Sequence, residues 1–169
     1  MRMRKLDVHR WLSPGLALLL LAGPLPAALA GNDAWGEQGT WTLVTSNLVT
    51  HYRSDPDHNN RPALVGLEYN RPGDAWLVGG ATFRNSFGQR SQYAYVGYRF
   101  DAGRWPVYAK VTGGVLQGYR GEYRDKIPFN RFGVAPAIVP AVGVQVNRFS
   151  TELMILGNSA LGLNLNVDF

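Results

Sequence analysis

The end of the chain alternates strictly between apolar and polar side chains. From Leu161 to Phe169 every odd-numbered residue is leucine, valine or phenylalanine, and every even-numbered residue is glycine, asparagine or aspartate. A period of two places the two classes on opposite faces of a β-strand. The pattern therefore predicts a terminal amphipathic strand that ends on an aromatic residue.

Seven earlier segments have a similar strand-like pattern, and turn residues separate them. The eight predicted strands cover residues 41–52, 61–70, 75–86, 91–101, 107–119, 133–146, 149–156 and 160–169. An even number of alternating segments, each about ten residues long, is typical of a transmembrane β-barrel. The sequence thus predicts an all-β protein, an eight-stranded antiparallel transmembrane β-barrel with up-and-down topology.

The direction of the alternation separates a membrane barrel from a soluble one. In a membrane barrel the apolar side chains face lipid and the polar ones face the lumen, so Glu68 and Lys110 are expected inside. A soluble lipocalin-like barrel or sandwich also has short alternating strands, but its apolar side chains point inward. The lumen of an eight-stranded barrel has little space for five large apolar residues from the last strand, which favours the membrane form.

Aromatic residues near the predicted strand ends fit the belts that membrane barrels place at both lipid–water interfaces. They are Trp41, Tyr52, Tyr69, Trp76, Tyr98, Phe100, Trp105, Tyr108, Tyr119 and Tyr123.

Residues 1–30 are predicted to be a secretory signal peptide, and residues 31–169 a single outer-membrane barrel domain. A basic start and an apolar run at residues 16–21 precede the sequence Ala28-Leu29-Ala30, which fits a cleavage site. Without this segment the chain has 13 basic and 11 acidic residues, a formal charge of +2 instead of +5. So small a charge excludes the concentrated basic face of a nucleic-acid partner. The predicted location is the outer membrane of a Gram-negative bacterium.

The strand order assigns each connection to one end of the barrel. With the N-terminus in the periplasm, the short turns at 71–74, 101–103 and 147–148 are periplasmic, and the connections at 53–60, 86–90 and 120–132 are extracellular. His51 and Ser86 then both lie at the extracellular rim. A histidine beside a hydroxyl suits base-assisted acyl transfer, so the two are candidate catalytic residues.

Basic residues concentrate on the predicted outer side. Arg53, Arg61, Arg84 and Arg90 are expected to bind substrate there, because the planar guanidinium group pairs well with phosphate, which lipid A carries. Any outer-membrane protein also needs basic groups among these phosphates, so both interpretations stay open.

The predicted sixth strand contains two prolines, Pro136 and Pro140. Proline donates no backbone hydrogen bond and is normally kept out of central strands. Unpaired backbone at membrane depth is tolerated only beside protein or a cavity, so the prolines predict a lateral opening, with a curvature-tuning bulge as the alternative. The inner face of this strand carries alanine or glycine at positions 135, 137, 141 and 143, which leaves room for an alkyl chain.

Three short motifs surround the candidate residues. His51 is followed nine residues later by Asn60-Arg61-Pro62, Ser86 lies within Phe83-Arg84-Asn85-Ser86-Phe87, and Lys126-Ile127-Pro128 precedes Ile138-Val139-Pro140. From about Thr45 to Phe169 the chain resembles the PagP family of outer-membrane lipid A palmitoyltransferases. The second motif is similar to the family's Phe-Lys-Asp-Ser-Trp, and the third to its Ile-Pro and Leu-Pro pairs.

The resemblance implies an enzyme that moves an acyl chain from a phospholipid donor to lipid A, the lipid of lipopolysaccharide. It implies that His51 is the general base and that Ser86 lies at the acyl-transfer centre as nucleophile or polariser. Asn85 stands where the family has aspartate and would hold the site's geometry.

The resemblance also implies a route for the lipid. Pro62, Pro136 and Pro140 would mark lateral lipid access, and Gly97 on the inner face of the fourth strand would help to set how deep an acyl chain reaches.

Two alternatives belong to other functional classes. A small structural or adhesion barrel would explain the fold without chemistry, and a lipid A deacylase would remove acyl chains instead of adding them. A deacylase usually has a tight His-x-Ser pair, whereas His51 is followed by Tyr52 and Arg53. The expected protein is a monomer with no cofactor and no metal site.

Overall fold

The alternating segments form one closed sheet in which each strand pairs with its neighbours in sequence. The structure is a computed structural model, which describes residues 39–53 and 58–169. The strands are β1 Thr40–His51, β2 Leu64–Asn70, β3 Trp76–Arg84, β4 Arg90–Asp101, β5 Val107–Gln117, β6 Val134–Val146, β7 Phe149–Leu156 and β8 Ala160–Asp168. The predicted eight-stranded antiparallel barrel is confirmed. The predicted signal peptide lies outside the described residues.

The first and last strands close the barrel. The β1–β8 ladder runs from Thr42 opposite Asp168 to His51 opposite Ala160, with one irregularity between Ser46 and Leu48. Beyond its lower end, Trp41 and Phe169 exchange two backbone hydrogen bonds of 3.1 and 2.8 Å. Closure pairs the two terminal strands with each other, so neither is left as an edge for another chain to pair with.

The predicted strand boundaries agree with the observed ones to within two residues, except at the start of β2. That strand was expected from residue 61 and begins at Leu64. Pro62 has no N–H to pair, and Ala63 has a φ of 46°, outside the β region. The segment 58–63 therefore follows an irregular path.

The connections fall at two ends of the barrel. We call the end with the β1–β2, β3–β4, β5–β6 and β7–β8 connections the upper rim, and the opposite end the lower end. A 3₁₀ helix, Gly121–Lys126, lies in the β5–β6 connection. No helix among the described residues is long and apolar enough to cross a membrane.

The side chains in the lower half of the lumen are polar. Lys110 Nζ lies 2.9 Å from Glu68 Oε1 and 2.6 Å from Glu152 Oε1, and all three side chains are buried. The hydroxyl of Tyr95 donates to Glu68 at 2.8 Å, and that of Tyr108 to Glu152 at 2.9 Å. Glu68 and Lys110 thus face inward as predicted.

Tyr108 corrects one detail of the predicted aromatic belt. Its side chain is inside the barrel, where the Arg99 guanidinium lies 3.8 Å from the ring centroid. Tyr108 precedes Lys110 by two residues and therefore shares its inward face.

The outer surface is apolar, the reverse of a soluble barrel. Many large apolar side chains on the outward face are exposed, and this polarity is compatible with an outer-membrane barrel. They include Trp41, Leu43, Val65, Leu67, Trp76, Val96, Phe100, Val111, Val115, Ile138, Val142, Leu153 and Leu165.

Removing the central cation should destabilise the barrel. In Lys110→Met, Glu68 and Glu152 lose their shared partner, and breaking a buried ion pair costs about 3–5 kcal/mol. Urea titration of the protein in lipid vesicles, followed by tryptophan fluorescence, measures the free energy of unfolding. The triple variant Glu68→Gln/Lys110→Met/Glu152→Gln removes the uncompensated charges as well and should recover most of the loss. Equal stability of Lys110→Met and the parent would contradict this role for the network.

Candidate active site

His51 and Ser86 meet at the upper rim. His51 is the last residue of β1, and Ser86 is the second residue after β3. The imidazole Nε2 lies 2.8 Å from the Ser86 hydroxyl oxygen. β1 and β3 are not neighbours in the sheet, because β2 lies between them. However, β2 begins only at Leu64, so no paired strand separates His51 from Ser86 at the rim.

Asn60 determines which nitrogen of His51 carries the proton. Its Oδ1 lies 2.8 Å from His51 Nδ1. An amide oxygen only accepts hydrogen bonds, so Nδ1 donates and Nε2 keeps its lone pair toward the Ser86 hydroxyl. In this tautomer His51 can accept the proton of a hydroxyl group, as a general base does.

The tight turn after β3 holds Ser86 in place. The Oδ1 of buried Asn85 accepts backbone N–H bonds from Phe87 and Gln89, both at 3.0 Å. Gly88 completes the turn with a φ of 71°, which favours glycine. The carbonyl oxygen of the Asn85 side chain therefore supports the turn that carries Ser86.

The irregular segment before β2 is bonded to this turn. Asn59 donates its backbone N–H to the Ser86 carbonyl at 2.7 Å, and its side chain donates to the Asn85 carbonyl at 3.2 Å. Asn59 therefore fixes the turn while the adjacent Asn60 orients His51. Two consecutive asparagines connect both halves of the site.

Aromatic rings from three connections surround the pair. The His51 and His58 rings stack with centroids 4.3 Å apart. His58 in turn contacts the edge of Phe87, which stacks on Tyr123 at 4.1 Å. The cluster covers one side of the imidazole and restricts its rotation.

Tyr119 adds a phenol beside Ser86. Burial raises the pKa of Tyr119, and hydrogen bonding to the side chain and backbone of Ser86 opposes part of that rise. The phenol therefore stays protonated at neutral pH. Ser86 thus has the Tyr119 hydroxyl group nearby in addition to the His51 ring.

The four predicted substrate-binding arginines are exposed at the same end as this site. Arg53 and Arg61 lie in the β1–β2 connection, and Arg84 and Arg90 lie at the facing ends of β3 and β4. Arg84 and Arg90 are direct cross-strand partners. Like charges directly opposite each other destabilise a sheet, so an anion between them would be favourable.

The two prolines of β6 coincide with a break in pairing. Gln145 donates its N–H to Pro106 on the β5 side, and backbone groups alternate between the two neighbouring strands. Pro136 and Pro140 therefore face β7. Within the described residues the β6–β7 ladder ends at Ala141 opposite Met154, next to Pro140.

The remaining predicted lipid-path residues lie in different surroundings. Pro62 is buried, and its carbonyl accepts a 2.7 Å bond from Arg84. Gly97 is inside the barrel, where an added Cβ would come within 2.9 Å of Leu77 and Thr112 side-chain atoms. The space at Gly97 is therefore already filled.

Three residues of the site were not predicted as such. In the sequence Asn60 stands out only as part of a motif, Tyr119 belongs to the predicted aromatic belt, and no role beside His51 is predicted for His58. Asn60 and His58 contact His51 through the irregular β1–β2 connection, and Tyr119 contacts Ser86 from another connection, so no local period reveals them. The nine-residue interval between His51 and Asn60 is the one hint in the sequence.

A scan of the chain against protein-family models finds no match, and a search of curated proteins finds none. The resemblance to the PagP family stays a prediction from the three motifs. Among the described residues, no group of three or more histidine, cysteine, aspartate or glutamate side chains could hold a metal ion.

Loss of the Asn60 oxygen should change the His51 tautomer. In Asn60→Leu the Nδ1 proton has no acceptor there, and we expect the population to shift toward the Nε2–H form. The ¹⁵N chemical shifts of labelled histidine in detergent micelles report this directly. His58→Gln assigns the two resonances, and Asn60→Asp, which keeps an acceptor, should retain the parent tautomer. An unchanged His51 spectrum in Asn60→Leu would contradict the orienting role.

Proposed function

We propose that this protein is a lipid A acyltransferase of the outer membrane, which moves an acyl chain from a phospholipid to lipid A. The observation that carries the proposal is the 2.8 Å contact between His51 Nε2 and the Ser86 hydroxyl, with Asn60 on the other ring nitrogen. A hydroxyl, an imidazole and an orienting amide are the elements of nucleophilic acyl transfer.

His51 takes up and returns one proton while the acyl group moves from the donor ester to the acceptor hydroxyl. His51 Nε2 takes a proton from a hydroxyl group, and the freed oxygen attacks the carbonyl of the donor phospholipid. The donor's ester bond breaks, and His51 returns the proton to the departing lysophospholipid oxygen. Ser86 is either the attacking oxygen of a first step or the group that polarises the reactants. If Ser86 attacks first, His51 next takes the proton of a lipid A hydroxyl, that oxygen attacks the acyl-serine, and the proton returns to the Ser86 oxygen as the acyl–serine bond breaks. In both cases a hydroxyl group of lipid A ends with the new ester.

The interior below the site suits a hydrocarbon chain. Along β6, Ala135, Ala137 and Val139 line the upper half, where Tyr93 and Leu116 also pack. The charged Glu68–Lys110–Glu152 network lies below them. An acyl chain in the upper half would contact apolar groups and leave its ester near the rim.

A route from the bilayer would lie between β6 and β7. Above Ala141 the two strands do not pair within the described residues, and the facing prolines have no N–H to leave unsatisfied. A lipid chain could enter sideways there without crossing the polar rim, which fits a phospholipid donor.

The arginines favour a phosphorylated acceptor. Arg84 and Arg90 lie directly opposite each other on the neighbouring strands β3 and β4, at the upper rim. A phosphate between them would offset their repulsion. Lipid A carries phosphates on its sugar headgroup, so this pair would hold the acceptor close to Ser86.

Mass spectrometry of lipid A provides the central test. Cells that make the protein should contain lipid A heavier by one fatty acyl group, and His51→Asn or Ser86→Ala should abolish that species. Loss of a general base alone costs about 10²–10⁴-fold in rate. Ser159→Ala, an exposed serine at the same rim, is the matched control and should keep the parent's product.

The other two outcomes separate the rival functions. A lipid A species that is lighter by one acyl group would identify a deacylase. Unchanged lipid A, with folded protein in the membrane, would indicate a structural or adhesion barrel.

Closing the gap between β6 and β7 should stop acyl transfer. The chain has no cysteine, so the two thiols of Pro140→Cys/Ile155→Cys are the only pair that a thiol-specific cross-linker can join. They lie on opposite sides of the unpaired segment. With a bifunctional maleimide we expect transfer in proteoliposomes to fall to background. Val142→Cys/Leu153→Cys joins two outward residues that are already paired and should stay active after the same treatment. Full activity of the first cross-linked variant would exclude this route.

A further inference from the structure

The β5–β6 connection exposes two phenylalanines at the upper rim. Phe129 is 82% exposed and Phe132 is 92% exposed, the highest values among the large apolar residues of the described chain. Phe87, in the neighbouring β3–β4 turn, is instead packed on Tyr123. Large exposed apolar groups mark surfaces that contact a partner or a membrane.

The backbone holds both rings outward at a cost. Phe129 has a φ of 60° and Phe132 a φ of 55°, a region that bulky residues rarely adopt. Between them Asn130 donates to the carbonyl of Tyr119 at 3.0 Å and to that of Arg124 at 2.9 Å. Strained residues persist where the surroundings fix them, often at functional positions. The protruding rings are therefore part of a supported loop.

The surroundings of the loop are basic and apolar. The connection carries four exposed basic residues against two acidic ones, Glu122 and Asp125. On its other side the loop continues into the outward apolar face of β6, where Val134 and Ile138 are exposed. The basic residues are Arg120, Arg124, Lys126 and Arg131.

We propose that the segment Phe129–Phe132 is a membrane anchor that inserts its two rings into the leaflet of phosphorylated lipid around the upper rim. The rings enter the acyl region, and the basic side chains contact lipid phosphates at the level of the headgroups. The inference rests on the outer-membrane location in the proposed function, but not on any acyl-transfer chemistry.

The position of the anchor links it to the lipid path. The loop leads directly into β6 above Pro136 and Pro140, where the β6–β7 pairing is missing. Rings inserted there would hold the leaflet against the mouth of the gap. The occupant is lipid and not a second protein copy, because the patch continues the lipid-facing band and carries a net positive charge.

Spin labels measure the depth of each residue directly. The absence of cysteine allows single labels at Phe129→Cys and Phe132→Cys, in vesicles of phosphatidylethanolamine and phosphatidylglycerol that contain lipid A. Oxygen collects in the acyl region and a nickel chelate in water, so their collision ratio reports depth. We expect both labels to shift toward the ratio of Ile138→Cys, on a lipid-facing strand, and away from that of Asp125→Cys in the same loop.

Each other outcome overturns a defined part of the proposal. Labels at 129 and 132 with the water-like ratio of Asp125→Cys would exclude insertion, and spin–spin broadening between molecules would show a second copy instead. Vesicles with dephosphorylated lipid A should give shallower labels, and equal depth there would exclude a contribution from the lipid A phosphates, because only those are removed. The same measurements in a His51→Asn background should be unchanged, so failure of acyl transfer and failure of anchoring are distinguishable.

Discussion

Closure of the backbone ladder is the constraint on which this structure depends. In a lipid environment an unpaired N–H or C=O group costs several kcal/mol, and the exchange between Trp41 and Phe169 extends the paired edges of β1 and β8 to the lower end. A break in the wall is tolerable only where few orphan groups result. Pro136 and Pro140 bring the wall closer to this condition, because each removes one donor that would face β7. The gap therefore lies where the sequence of β6 contains fewer backbone N–H groups that need a partner on β7.

The charged layer gives the barrel two unlike halves. Lys110 sits between Glu68 and Glu152, and Tyr95 and Tyr108 donate to the same two Oε1 atoms that Lys110 contacts. Such a network resists rearrangement, because each member leaves an unpaired buried charge or polar group if it moves. Hydrocarbon would gain nothing in the lower half, whereas the alanines of β6 offer it an apolar wall in the upper half. The network thus restricts the apolar part of the lumen to the end that holds His51.

The fold could be predicted from sequence because the alternation is a local property. A period of two gives the positions of the strands and places Glu68 and Lys110 on the inward face. No long-range contact is needed for these two predictions. The site was predictable only in part: topology brings His51 and Ser86 to one rim, but not into contact. Asn60 and Tyr119 could not be assigned, because their contacts with His51 and Ser86 depend on the paths of irregular connections, which tertiary hydrogen bonds determine. Tyr108 was misplaced because a position near a strand end does not fix the face.

The late start of β2, at Leu64, is the feature of the fold on which the contact between His51 and Ser86 depends. Had β2 continued to residue 61, a paired strand would stand between His51 on β1 and Ser86 after β3, and the two could not touch. Pro62 and the left-handed Ala63 interrupt the strand, and the chain freed in this way supplies Asn59 for the turn and Asn60 for the imidazole. The Pro62 carbonyl still bonds to Arg84, so the interruption remains rigid. A single local departure from β structure therefore both clears the space for the candidate pair, His51 and Ser86, and provides the groups that align it.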